Sequence, residues 1–240
     1  MREIFTSRQS KNQRNIQVLM IFVVVIAMLL MDRFLTLPYT TRSIYKVLLF
    51  LLFPIILGGS IRWFDLFSVF RVKSDDKKIF PSLFLGLGVY VLLILLYIIL
   101  KDIFNLEQIM GALESTVAVT KDNFIMVAIY ISFINSFLEE FFFRGFAYLK
   151  LKDKMPKIGA TMISAMAFSI YHFSMVEGWA SPILVALGLL GLFLSGIIFN
   201  AINDKNDNIY SSYAVHVFAN FAINTIGLQM FGLIDLPFLR

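Results

Sequence analysis

Long apolar stretches alternate with short polar ones along the whole chain. Seven stretches approach the roughly 20 residues that a bilayer span needs. They are Ile16–Met31, Tyr45–Leu57, Ile79–Leu100, Phe124–Phe143, Ile158–Met175, Pro182–Ile202 and Ile209–Gly232. The second is short for a full span. Leu106–Val119 is too polar to cross and is expected at the membrane interface. The basic start followed by an apolar run has the form of a signal peptide. Met31-Asp32-Arg33-Phe34 follows that run in place of a small-residue cleavage site, so an uncleaved first helix is expected. There is no internal repeat and no low-complexity tract, and the charged stretch Arg71–Lys78 joins two spans. The pattern predicts an all-α, polytopic integral membrane bundle of about seven helices, forming a single domain over residues 1–240.

Composition fits that picture. Hydrophobic residues make up 59% and charged residues 15%, with mean hydropathy +0.80. A soluble domain runs near 45–50% and 25%. The chain has 21 basic and 16 acidic residues, a net +5. One set of connections carries 15 of the basic residues and the opposite set, Lys46 included, carries 6. By the positive-inside rule the N-terminus is expected in the cytoplasm and the protein in the plasma membrane. The charge therefore reads as topology and attraction to anionic lipid, with no nucleic-acid partner. The chain has no cysteine, which removes disulfides, thiolate metal sites and cysteine nucleophiles. Only two histidines are present, His172 and His216.

Ionisable residues inside spans are functional candidates, because burying them in lipid is costly. Three groups stand out. In Phe137-Leu138-Glu139-Glu140-Phe141-Phe142-Phe143-Arg144, Glu140 and Arg144 are four apart and share a helix face. Glu139 has no charged neighbour at that spacing in its own helix. A desolvated carboxylate without a cation has a raised pKa and suits a proton acceptor. The plainer reading puts both glutamates at a helix end in reach of water. Phe168 and His172 again lie four apart, and a lone histidine on an apolar helix is often only structural. His216 and Asn220 repeat the spacing, and Asn224 extends the stripe by a turn. Two such donors can hold one oxyanion, or they can simply bond between helices.

Depth links the groups. Glu139 lies about 15 residues before the turn at Asp153–Pro156 and His172 about 17 after it, a mismatch of about 3 Å at 1.5 Å per residue. The two can face each other. His216, roughly 10 residues beyond the turn at Asp204–Asn208, enters from the same side at shallower depth.

Taken in order, Glu139-Glu140…Arg144, Phe168…His172 and His216…Asn220 resemble the CPBP family, the CAAX proteases and bacteriocin-processing enzymes also called the Abi family. The motif-bearing core is residues 124–224. The resemblance implies an intramembrane endopeptidase acting on a membrane-associated peptide or protein, lipidated in one branch. It implies that Glu139 and His172 activate water and that His216 and Asn220 hold the oxyanion. Glu140 and Arg144 would brace the motif helix. Many family members have eight spans, against seven counted here.

Glu139, His172 and His216 could also ligate zinc with a position open to water. No His-Glu-x-x-His motif is present, and Asn220 is a poor zinc ligand, so a metal-independent site is expected. Two other functions share these features. One is a non-catalytic bacteriocin-immunity or recruiting factor on the same scaffold. The other is a proton-coupled transporter, against which the lack of an inverted repeat counts.

Overall fold

Lipid offers the backbone no hydrogen-bond partner, so each apolar span closes its own bonds as a helix. The computed structural model describes residues 2–35, 37–61, 65–72, 79–104, 119–178 and 181–239. Among these the regular structure is helical, with no strand. The expected interfacial stretch 106–119 lies outside the described residues apart from Val119.

Among the described residues, seven long helices follow one another. Helix α1 is Arg2–Phe34. Helix α2 covers residues 39–61, with a π-helical turn at Leu48–Leu52. Helix α3 is Ile79–Phe104. Helix α4 covers Phe124–Leu149 and is π-helical at Ile131–Asn135 and again at Glu140–Leu149. Helix α5 is Lys157–Tyr171, with a short continuation at Phe173–Val176. Helices α6 and α7 are Pro182–Asp204 and Tyr210–Met230.

Among the described residues, six helices are long and apolar enough to cross a membrane: all but α7. Sequence reading counts seven spans, and the difference has a simple cause. Helix α7 carries Ser211, Ser212, His216, Asn220 and Asn224, all buried against other helices. Its polar groups face protein, so its average composition understates its fit to the bundle.

Helix α4 is the centre. Phe141, Phe142, Phe143 and Phe146 have no exposed surface, as befits the helix at the middle of the bundle. Phe50, in the π turn of α2, stacks on Phe142 with centroids 4.7 Å apart and also meets Phe143 and Tyr171 edge-on. Helix α3 lies to one side along α7, with Gly86 against the Phe218 ring. At its polar end the bundle is pinned by Lys152, which pairs with Asp204 at 3.2 Å and Asp207 at 2.7 Å.

Helices α5 and α6 pack closely because Gly196 has no side chain. A Cβ there would meet the Ala165 Cα at 2.9 Å, and backbone cannot give way as a flexible side chain can. Gly196→Val is therefore expected to destabilise the protein by about 1–3 kcal/mol. Thermal unfolding in detergent checks this, and an unchanged midpoint would contradict the packing argument.

Candidate active site

Glu139 is 1% exposed near the middle of α4. Its two oxygens have different surroundings. Oε1 accepts from Asn135 Nδ2 at 2.8 Å, one turn earlier, and lies 3.8 Å from the Lys46 ammonium. Oε2 has no hydrogen-bond partner. It faces His172 Nε2 at 3.6 Å and His216 Nε2 at 3.7 Å.

The histidines are fixed from behind. His172 stands just past the end of α5, and its Nδ1 bonds the Phe168 carbonyl at 2.8 Å. A carbonyl can only accept, so Nδ1 carries the proton and a neutral ring presents a bare Nε2. His216 Nδ1 bonds Glu140 Oε1 at 2.8 Å. Glu140 is also fully buried, and its Oε2 accepts the Ser212 hydroxyl. Both imidazoles therefore turn Nε2 toward the unbonded oxygen of Glu139.

Arg144 is 3.6 Å from Glu140 and fully buried. None of its three guanidinium nitrogens makes a hydrogen bond. Instead the guanidinium lies 4.0 Å over the Phe168 ring and 5.0 Å from the Phe199 ring. Cations find real, though modest, stabilisation over ring faces. Phe168 also meets His172 edge-on at 4.6 Å and His216 at 6.2 Å, so one ring separates the cation from both imidazoles.

Helices α4 and α7 are joined by a ladder of polar rungs four residues apart. Ser132 accepts from Asn224 at 2.9 Å, Ser136 accepts from Asn220 at 2.7 Å, and Glu140 bonds His216. An ideal α-helix drifts about 40° every four residues, since it turns about 100° per residue. The π turns of α4 hold more residues each and rotate the face back. Alternating the two keeps Ser132, Ser136 and Glu140 opposite α7. His216 meets Glu139 as closely as His172 does, at 3.7 and 3.6 Å, although residue counts place it shallower.

Three expectations from the sequence need correction here. Glu139 does have a cation beside it: Lys46, from α2. Lys46 and Arg144, both counted among the connections in the charge tally, lie inside α2 and α4. Asn220 spends both amide protons within the protein, on Ser136 and on the Ile131 carbonyl at 3.2 Å. That carbonyl fixes the amide's orientation, since an amide oxygen could not bond it.

Lys46, Asn135, Ser136 and Ser212 were not found from the sequence. Asn135 precedes Glu139 by four, a spacing that could have revealed it. Lys46 is an ionisable residue at the edge of an apolar run, which is itself a functional signal.

For zinc, the sequence offers Glu139, His172 and His216. Among the described residues no group of three or more such side chains is arranged to hold a metal ion. The Lys46 ammonium would also oppose a dication beside Glu139.

Comparison with known proteins now bears on this geometry. A family model described as type II CAAX prenyl endopeptidase, Rce1-like, matches residues 121–222. That stretch is similar to an Rce1-like domain. It runs from just before α4 into α7, covers less than half of the chain, and contains Glu139, Glu140, Arg144, His172, His216 and Asn220. The CPBP resemblance read from the three motifs agrees with this match. The Rce1-like family is a protease family, and with its apolar helices the chain reads as an integral membrane protein. Searches of curated proteins and of solved structures gave no match. Lys46 and all of α2 lie outside the Rce1-like domain.

Proposed function

We propose that the protein is an intramembrane endopeptidase that hydrolyses a peptide bond of a membrane-associated peptide or protein, in the manner of a CAAX protease. The observation that carries this reading is the unbonded Oε2 of buried Glu139, faced by two imidazole Nε2 atoms at 3.6 and 3.7 Å. Three acceptor atoms turned to one point call for a donor between them, and water supplies two protons. Glu139 takes a proton as the water oxygen bonds the scissile carbonyl carbon, and His172 Nε2 orients that water. The carbonyl oxygen becomes an oxyanion. His216 donates its Nδ1 proton to Glu140, and a proton that Nε2 takes from solvent and returns there with the product lets it donate to that oxyanion. Asn220 lies one turn further along α7 and joins the oxyanion site by giving up its bond to Ser136. Collapse breaks the C–N bond, and the leaving amine takes the proton that Glu139 holds.

The substrate reaches this site from the bilayer, lipidated or not. The active form sits in the plasma membrane with its N-terminus in the cytoplasm, and no cofactor takes part. The test uses purified protein in lipid nanodiscs with two panels of membrane-anchored peptides, one prenylated and one unmodified. A new C-terminus carrying one oxygen from ¹⁸O-labelled solvent is expected, with cleavage undiminished by zinc chelators. If neither panel is cut, the proteolytic reading fails. Loss of cleavage on chelation would replace glutamate-activated water by a metal-bound one.

A further inference from the structure

Lys46 is an ammonium in the interior of a membrane bundle. Such a group costs a few kcal/mol unless it is paired. It is 15% exposed. Its Nζ donates to Asn135 Oδ1 at 2.5 Å, faces Glu139 Oε1 at 3.8 Å, and lies 5.3 Å from the Tyr171 ring centre. Asn135 then donates to that same Oε1 at 2.8 Å. One oxygen of Glu139 is thus held by an amide and a cation, while the other is left for the two imidazoles.

Helix α2 aims the side chain. Lys46 and Phe50 are four apart, and Phe50 is locked against Phe142, Phe143 and Tyr171. One turn the other way, Arg42 pairs with Asp32 at 3.4 Å, and Asp32 also accepts from Ser174 at 2.9 Å. The face of α2 that bears Lys46 is therefore tied to α1, α4 and the end of α5. A hydrogen-bonding side chain alone would satisfy Asn135. Only a cation offsets a carboxylate beside two rings that turn unprotonated nitrogens toward it.

We propose that Lys46 is a positioning residue for Glu139, supplied to the Rce1-like domain by a helix outside it. Its charge holds Oε1, so that Oε2 is the oxygen presented to His172 and His216. The catalytic consequence rests on the reading of Glu139 as the water-activating carboxylate. The effect on Glu139 itself does not, and the test keeps the two apart.

Infrared difference spectra between each protein and its Glu139→Gln partner, in nanodiscs at neutral pH, isolate the bands of this one carboxyl group. Wild type is expected to show carboxylate bands. Lys46→Gln keeps a hydrogen-bonding group for Asn135 and drops the charge, and it is expected to gain a protonated-carboxyl band. Lys46→Arg is expected to keep the wild-type spectrum. A merely structural role for Lys46 would alter melting and leave the Glu139 bands alone. In peptide cleavage, Lys46→Gln should lower kcat about 10- to 100-fold with KM little changed, and Lys46→Arg should recover most of it.

Identical Glu139 bands in wild type and Lys46→Gln overturn the proposal, with or without a known substrate. A changed spectrum in a protein that cuts neither peptide panel overturns proteolysis and leaves Lys46 in its role. If Lys46→Gln does not fold, Lys46→Met replaces it. If neither folds, the wild-type spectrum decides, because a protonated Glu139 there contradicts a positioning cation.

Discussion

Glu139→Gln is expected to lower kcat for peptide cleavage by about 10²–10⁴-fold, the usual worth of a positioned general base. The substitution nearly preserves shape. Its amide oxygen can still accept from Asn135, which now bonds Oε1 at 2.8 Å. Its NH₂ group would stand where Oε2 stands, facing the two Nε2 acceptors at 3.6 and 3.7 Å. The melting temperature should therefore hold while turnover collapses. KM should change little, because the missing interaction belongs to the transition state. Turnover within a few-fold of wild type would remove Glu139 from the chemistry.

The largest effect on stability is expected at Glu140. This carboxylate accepts from His216 and Ser212 and sits 3.6 Å from an Arg144 side chain with no exposed surface. Glu140→Ala strands that guanidinium, whose nitrogens already lack hydrogen bonds, and should cost about 3–5 kcal/mol. Removing the cation as well should reverse much of the loss, since a buried pair replaced by apolar groups is often neutral. Glu140→Ala with Arg144→Met should therefore melt well above Glu140→Ala alone. Turnover should stay low in both, because His216 has lost the acceptor that fixes its ring. Equal melting of the single and double variants would show that Arg144 is stabilised by Phe168 and Phe199 without help from Glu140.

Much of this site was legible before any coordinates. The three motifs could be read directly. Counting residues from the turn at Asp153–Pro156 put Glu139 opposite His172, and their side chains lie 3.6 Å apart. The argument works because antiparallel helices share a common rise. It set His216 somewhat shallower while allowing all three to converge, and the His216 Nε2 lies 3.7 Å from Oε2 of Glu139; residue counts assume an even helix, and α4 is π-helical beside the site. No local propensity marks a π turn in a run of phenylalanines. Lys46 escaped for a different reason. Its partners are on another helix, and at the edge of the Tyr45–Leu57 run it was tallied with the connecting charges. Asn220 looked free to donate because its partners on α4, the Ser136 hydroxyl and the Ile131 carbonyl, carry no charge to draw attention.

The π-helical turns of α4 have one more consequence. A π turn is an α-helix holding an extra residue, so loss of a single residue between Glu140 and Leu149 would relax it to ordinary helix. Everything before that point would then rotate by about 100° relative to α7, and Glu139 would leave its imidazoles. The segment between Glu140 and Leu149 is thus calibrated in length to the residue. In descendants of this gene it should accept exchanges of side chain and refuse insertions and deletions, leaving changes of length to the connections between helices.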